Sequence, residues 1–153
     1  MANRFKFDEV IKKLAEQKIN VPVKIAEASV YYFLSSWDKQ GFGGNSWQEV
    51  KRRQSGTKAY KYGTPAARTR GILIGKGVSS LKHAVKDSKV QADWNLIKLV
   101  VDLPYAKVHN EGLRAGRGAG FKMPKRQFMG QTAELKDIQM RIIKENMDRI
   151  WPV

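Results

Sequence analysis

Between Trp94 and Leu103 the chain alternates strictly. Trp94, Leu96, Lys98, Val100 and Asp102 fall on one side of an extended strand, and Asn95, Ile97, Leu99, Val101 and Leu103 on the other. Successive strand side chains point to opposite faces, so a period of two marks a strand with one face buried. The second set is the cleaner apolar one, which predicts an antiparallel sheet with its other face in water. Ala84 to Val90, across a polar turn, is the expected partner strand. On both sides of this pair the period changes to that of a helix. Asp8 can cap a first helix carrying Val10, Ile11 and Leu14, and Ala26, Val30, Phe33, Leu34 and Trp37 keep helical spacing from Val23 to about Gln40. Asn20-Val21-Pro22 predicts a break between these two helices, with proline in the first turn of the second, and Gly41 predicts its stop. A last helix starts at Gln131 or Thr132, carries Leu135, Ile138, Ile142, Ile143, Met147, Ile150 and Trp151 in one stripe, and ends at Pro152. Gly71 to Gly75 reads as a short strand or as the approach to a helix around Val78 to His83. The expected fold is α+β, a small antiparallel sheet packed against N-terminal and C-terminal helices.

At 153 residues the chain predicts a single domain, 1–153. Its composition, 42% hydrophobic and 28% charged, is that of a globular protein. No apolar run approaches the ~18 residues needed to span a bilayer. The start, Met1-Ala2-Asn3-Arg4-Phe5-Lys6, lacks the apolar core of a secretory signal, and the absence of cysteine suits a reducing compartment. The expectation is a soluble protein made in a cytoplasm, with no membrane partner.

The formal net charge is +15, a field that attracts nucleic acid or acidic protein surfaces alike. It is concentrated in two stretches free of acidic residues. One runs from Lys51 to Arg70 and holds Arg52, Arg53, Lys58, Lys61, Arg68 and Arg70; the other runs from Arg114 to Arg126 and holds Arg117, Lys122 and Lys125. Both are rich in glycine and small residues and lack a clear period, apart from a short turn near Trp47 to Arg53. Two long, mobile basic loops are therefore expected, at about 41–70 and 113–125. Tyr60 and Tyr62, interleaved with Lys58 and Lys61, could stack on bases or pack on a neighbouring subunit. Trp37 and Trp47 flank a glycine turn and read as core or interface anchors.

Catalytic chemistry finds little support. The two histidines, His83 and His109, lie far apart with no cysteine to complete a metal site. Glu111 sits two residues from His109, but the sequence supplies no third partner for a general base. His109 reads as a half-buried imidazole bonded to a loop backbone. Gly71-Ile72-Leu73-Ile74-Gly75-Lys76-Gly77 misses the phosphate-loop spacing, and Arg114-Ala115-Gly116-Arg117-Gly118-Ala119-Gly120 lacks a strand-to-helix context. No cofactor and no metal are expected, and no enzyme activity.

Two segments carry a more specific signal. Pro104-Tyr105-Ala106-Lys107-Val108-His109-Asn110-Glu111-Gly112 reads as an extended run turning into a short helix stopped by glycine, and Met123-Pro124-Lys125-Arg126-Gln127-Phe128-Met129-Gly130 as a proline-anchored return. Together they resemble the virion-morphogenesis, or tail-completion, proteins of tailed bacteriophages, in which Tyr-Ala-x-x-His-x-x-Gly precedes Pro-x-Arg-x-Phe-x-Gly. Trp37 to Trp47 and Arg70 to Leu81 are similar to two further segments of that family, although Lys76 and Val78 depart from its pattern there. The resemblance covers about Trp37 to Gly130. It implies a similar α+β fold and a non-enzymatic structural role at the tail end or head–tail junction of a virion assembled in the host cytoplasm. It also implies several copies in a ring, of which a hexamer is one form, and tail-tube or connector proteins as partners. On this reading Trp47, Arg52, Arg53, Tyr60, Tyr62, Arg114, Arg117 and Arg126 are interface candidates. Tyr105, His109, Gly112, Pro124 and Phe128 form the structural motif. A basic module with non-specific DNA contact is the alternative; a small hydrolase or nuclease centred on His109 and Glu111 is the weakest.

Overall fold

The computed structural model describes residues 6–75 and 80–151. The fold is α+β, with six helices and six short strands among the described residues. The strands form three separate antiparallel pairs instead of one sheet. The chain gathers into two compact units, and the long first helix α1 (Phe7–Lys39) contributes to both.

The predicted break at Asn20-Val21-Pro22 does not occur: α1 runs through Pro22 without interruption. Proline removes one backbone donor and crowds the preceding turn, normally a helix-breaking combination. Here Val21 and Pro22 are both buried and continue a stripe through Ile25, Ala26 and Ser29. Burial of that stripe outweighs the local defect. Asp8 lies in the first turn, where its negative charge favours the helix dipole, one position inside the helix start at Phe7.

The first unit combines α1 up to Tyr31 with Lys89–Val100 and the segment from Gln131 onward. Strands β3 (Lys89–Ala92) and β4 (Ile97–Val100) pair antiparallel, with Lys89 opposite Val100 and Ala92 opposite Ile97. Their turn is built by Asp93, whose carboxylate accepts from the amides of Asn95 (2.9 Å) and Leu96 (3.0 Å). Those two bonds hold its pKa below the ordinary aspartate value. The predicted alternation is present, with Ile97 and Leu99 half-buried and Lys98 and Val100 exposed. Helix α6 (Ala133–Asp148) begins where expected, because the Thr132 hydroxyl accepts from the amide of Leu135. Its partner is α1: Lys24 donates to Asn146 at 2.7 Å, and Gln139 to Ser29 at 3.2 Å. The predicted stop at Pro152 lies outside the described residues; the helix itself ends at Asp148.

The expected strand from Ala84 to Val90 is corrected in its first half. Ala84 to Lys86 belong to a helix, α4 (Leu81–Lys86). The Ser80 hydroxyl caps it, and Leu81 and Val85, four residues apart, are both buried. A cap followed by an i, i+4 apolar pair overrides the strand preference of isolated valines. Of the helix expected around Val78 to His83, residues 76–79 lie outside the described residues. Gly71 to Gly75 is a turn, not a strand.

The second unit comprises Tyr32–Ser88 and Val101–Gly130, and its core is aromatic. Trp37 meets Trp47 edge-to-face at 5.7 Å and Phe128 at 5.4 Å, while Tyr32, Phe33 and Phe42 form an adjoining cluster. Both indoles are bonded, Trp37 to the carbonyl of Leu73 (3.3 Å) and Trp47 to that of Gln127 (2.6 Å). The end of α1 is organised by Gln40, which adopts a left-handed φ of 48°. Its amide nitrogen donates to the carbonyl of Trp37, its amide oxygen accepts from Ile72 (2.8 Å), and its backbone carbonyl accepts from Trp47 (2.7 Å). Strands β1 (Gly41–Phe42) and β2 (Asn45–Ser46) follow, joined through Gly43 and Gly44 at positive φ, as a two-residue hairpin turn requires.

Candidate functional site

The two motif segments form one joint. Helix α5 (Ala106–Glu111) ends at Gly112, whose φ of 72° closes the helix in the left-handed conformation. A Cβ at Gly112 would meet the backbone of Lys125 at 3.0 Å, so glycine is required by both conformation and space. The returning segment, 123–130, then docks on α5. The Arg126 amide donates to the His109 carbonyl at 2.8 Å, and the Asn110 side chain accepts from the amides of Phe128 (3.0 Å) and Met129 (3.1 Å). Phe128 is 1% exposed. Asn110 escaped the sequence reading, although a short polar amide beside a helix stop is a recognisable turn-binding residue.

Arg126 is buried, at 6% exposed, and its Nε donates to the carbonyl of Gln48 at 3.1 Å. That places it in the wall of a cavity of about 290 Å3, together with Arg52, His109, Tyr105, Ile72 and Leu81. Arg52 reaches this wall from a 3-10 turn, Lys51–Arg53, and donates to the carbonyls of Ala67 (2.9 Å), Arg70 (3.0 Å) and Gly71 (2.8 Å). Burial lowers the pKa of both arginines. Arg70 and Arg53 repel Arg52 further, Arg52 repels Arg126, and Glu49 offsets part of both. Burial also lowers the pKa of His109, with Arg126 adding to the effect. His109 Nδ1 has no hydrogen-bond partner among the described residues, and the bond to the loop backbone is made instead by its own carbonyl, which accepts from the Arg126 amide. The ring instead stands edge-on to Tyr105, at 6.1 Å.

The basic stretch expected to be a loop at 41–70 contains the first hairpin, the 3-10 turn and two short helices, α2 (Lys58–Lys61) and α3 (Pro65–Thr69). Thr57 and Thr64 cap these helices. Arg68 lies over the Tyr60 ring at 4.5 Å and donates to the Tyr60 carbonyl. Among the interface candidates, Trp47 and Arg126 are therefore internal, and Arg52 and Tyr60 are half-buried. Arg53 and Tyr62 are exposed. The second basic stretch is a hairpin, β5 (Arg114–Ala115) with β6 (Phe121–Lys122), closed by a bond from the Met123 amide to the Leu113 carbonyl. Arg114, Arg117 and Phe121 are all exposed there.

One serine–histidine pair exists, Ser80 Oγ to His83 Nδ1 at 2.9 Å, but the same hydroxyl caps α4 and no carboxylate orients the ring among the described residues. Glu111 is exposed and makes no bond to His109. No three His, Asp or Glu gather as a metal site, and no helix is long and apolar enough to cross a membrane, among the described residues. No protein-family model matches the chain, and neither the curated proteins nor the solved structures yield a match.

Proposed function

We propose that this chain is a non-enzymatic structural protein of a tailed bacteriophage that acts in tail completion, at the tail end or head–tail junction. The observation that carries this reading is the joint between the two motif segments. Tyr105, His109 and Gly112 lie on one half, Pro124 and Phe128 on the other, and Arg126 and Asn110 bond across it. The ordered spacing by which the sequence resembles that family thus has a structural reason in this fold. In this role the partners are further copies in a closed ring and the proteins of the tail tube or connector. Each subunit of a ring needs two different contact surfaces. The exposed hairpin with Arg114, Arg117 and Phe121 supplies a candidate for one, and the surface around Arg53 and Tyr62 for the other.

Electron microscopy of the purified protein mixed with tail tubes tests this directly. Rings capping the tube end are expected, and a protein that stays monomeric and off the tubes would defeat the reading. Tyr62, 77% exposed beside Lys61, favours non-specific DNA contact as a second reading. Affinity for DNA that falls steeply with salt and ignores sequence would support it.

A further inference from the structure

We propose that the arginine-lined cavity of the second unit binds a carboxylate carried on a short apolar stem, such as a glutamate side chain of a partner protein. Four observations converge. The Arg126 side chain is buried and engages the protein through Nε alone, to Gln48, so its terminal nitrogens have no acceptor among the described residues. His109, in the same wall, has a buried Nδ1 without a hydrogen-bond partner among the described residues. The acid that offsets the Arg126 charge, Glu49, already lies 3.6 Å from Arg53 and accepts from the Val50 amide. Ile72, Leu73, Ile74 and Leu81 give the wall an apolar side, while Ser80 and Tyr105 add hydroxyls.

Buried cations without counter-charge are costly, and a guanidinium fork matches the plane of a carboxylate. A cavity of about 290 Å3 has room for a carboxylate and a few methylenes. The apolar side of the wall can bury such a stem, which a free phosphate does not carry. A bound carboxylate would also offset the Arg126 charge, which adds to burial in lowering the pKa of His109. This site does not depend on ring formation, so its failure would leave the assembly role standing, and failure of the assembly role would leave the site.

The test is NMR of the Arg126 Nε–H group and the His109 ring in the whole protein, titrated with hexanoate, acetate, a doubly capped glutamate and inorganic phosphate at matched ionic strength. Hexanoate is expected to shift both signals and to raise the His109 midpoint. Acetate should bind at least about tenfold more weakly, because each buried methylene counts about fourfold. Binding of the capped glutamate assigns a protein side chain as the source; binding of hexanoate alone assigns a free small carboxylate. Either supports the site. Silence of both signals, or an equal response to phosphate and hexanoate, would overturn it. Arg126→Lys keeps the charge but loses the fork and should weaken hexanoate at least about tenfold. Should that variant fail to fold, the wild-type titration of His109 decides alone.

Discussion

The two basic stretches of this chain look alike in sequence and use their arginines differently. From Lys51 to Arg70, Arg52 and Arg68 turn inward and bind five backbone carbonyls between them. They hold short helices too small to be stable alone. In the β5–β6 hairpin, Arg114 and Arg117 lie at the surface around a loop of glycines, and Arg114 donates to one carbonyl of that same loop, Ala119. Charge density therefore does not distinguish internal scaffolding from an outward-facing surface. What distinguishes them is whether the guanidinium joins carbonyls of separate elements, as Arg52 and Arg68 do, or only one within its own loop, as Arg114 does.

Substitutions can break this comparison, beginning at the joint both stretches depend on. Phe128→Ala should cost about 3–5 kcal/mol, the range for a fully buried phenylalanine, and lower the melting temperature accordingly. A loss under about 1 kcal/mol would mean that the aromatic core is not what holds the second unit. Arg52→Ala leaves the carbonyls of Ala67, Arg70 and Gly71 without their donor and should cost about 2–3 kcal/mol in chemical denaturation. Arg52→Lys should recover only part of that, because one ammonium cannot serve all three.

A smaller effect is expected from pH. The folded-state pKa of His109 lies below the ordinary 6.5, chiefly through burial and further through Arg126. The unfolded chain then takes up the proton first, so stability is complete above about pH 6.5 and falls as pH drops toward the folded value. Melting curves between pH 7.5 and 5 should show this loss, and His109→Gln should remove its share of it. The smallest effect on stability belongs to Arg117→Ala, within about 0.5 kcal/mol for an exposed side chain. The same substitution should reduce capping of tail tubes in electron micrographs. If Arg117→Ala destabilises as much as Arg52→Ala, the contrast between the stretches is lost.

How much of this was legible in the sequence depended on whether the signal was local. The Thr132 start of α6 and the buried face of Ile97 and Leu99 were readable, since a cap and a two-residue period act over a few positions. Pro22 misled because the burial that keeps α1 intact is tertiary. The helix α4 was read partly as strand because its Ser80 cap was overlooked. The cavity was not readable. Its wall joins Arg52, Ile72, His109 and Arg126 from four separate places in the chain, and only folding gives them a common surface. Arg126 was legible only as an interface candidate, and its Nε is taken by the carbonyl of Gln48 in its own chain.

Gln40 carries a consequence for mutational tolerance. At φ 48° a glycine would relax the backbone, and Gln40→Gly would look like an improvement by conformational preference alone. Yet the same side chain closes the helix onto Trp37 and receives the amide of Ile72, thirty-two residues away. Asparagine, which tolerates this backbone region, is one methylene too short to span both. The position therefore selects a residue that its backbone disfavours, and a library screened for stability should retain glutamine there against the local preference.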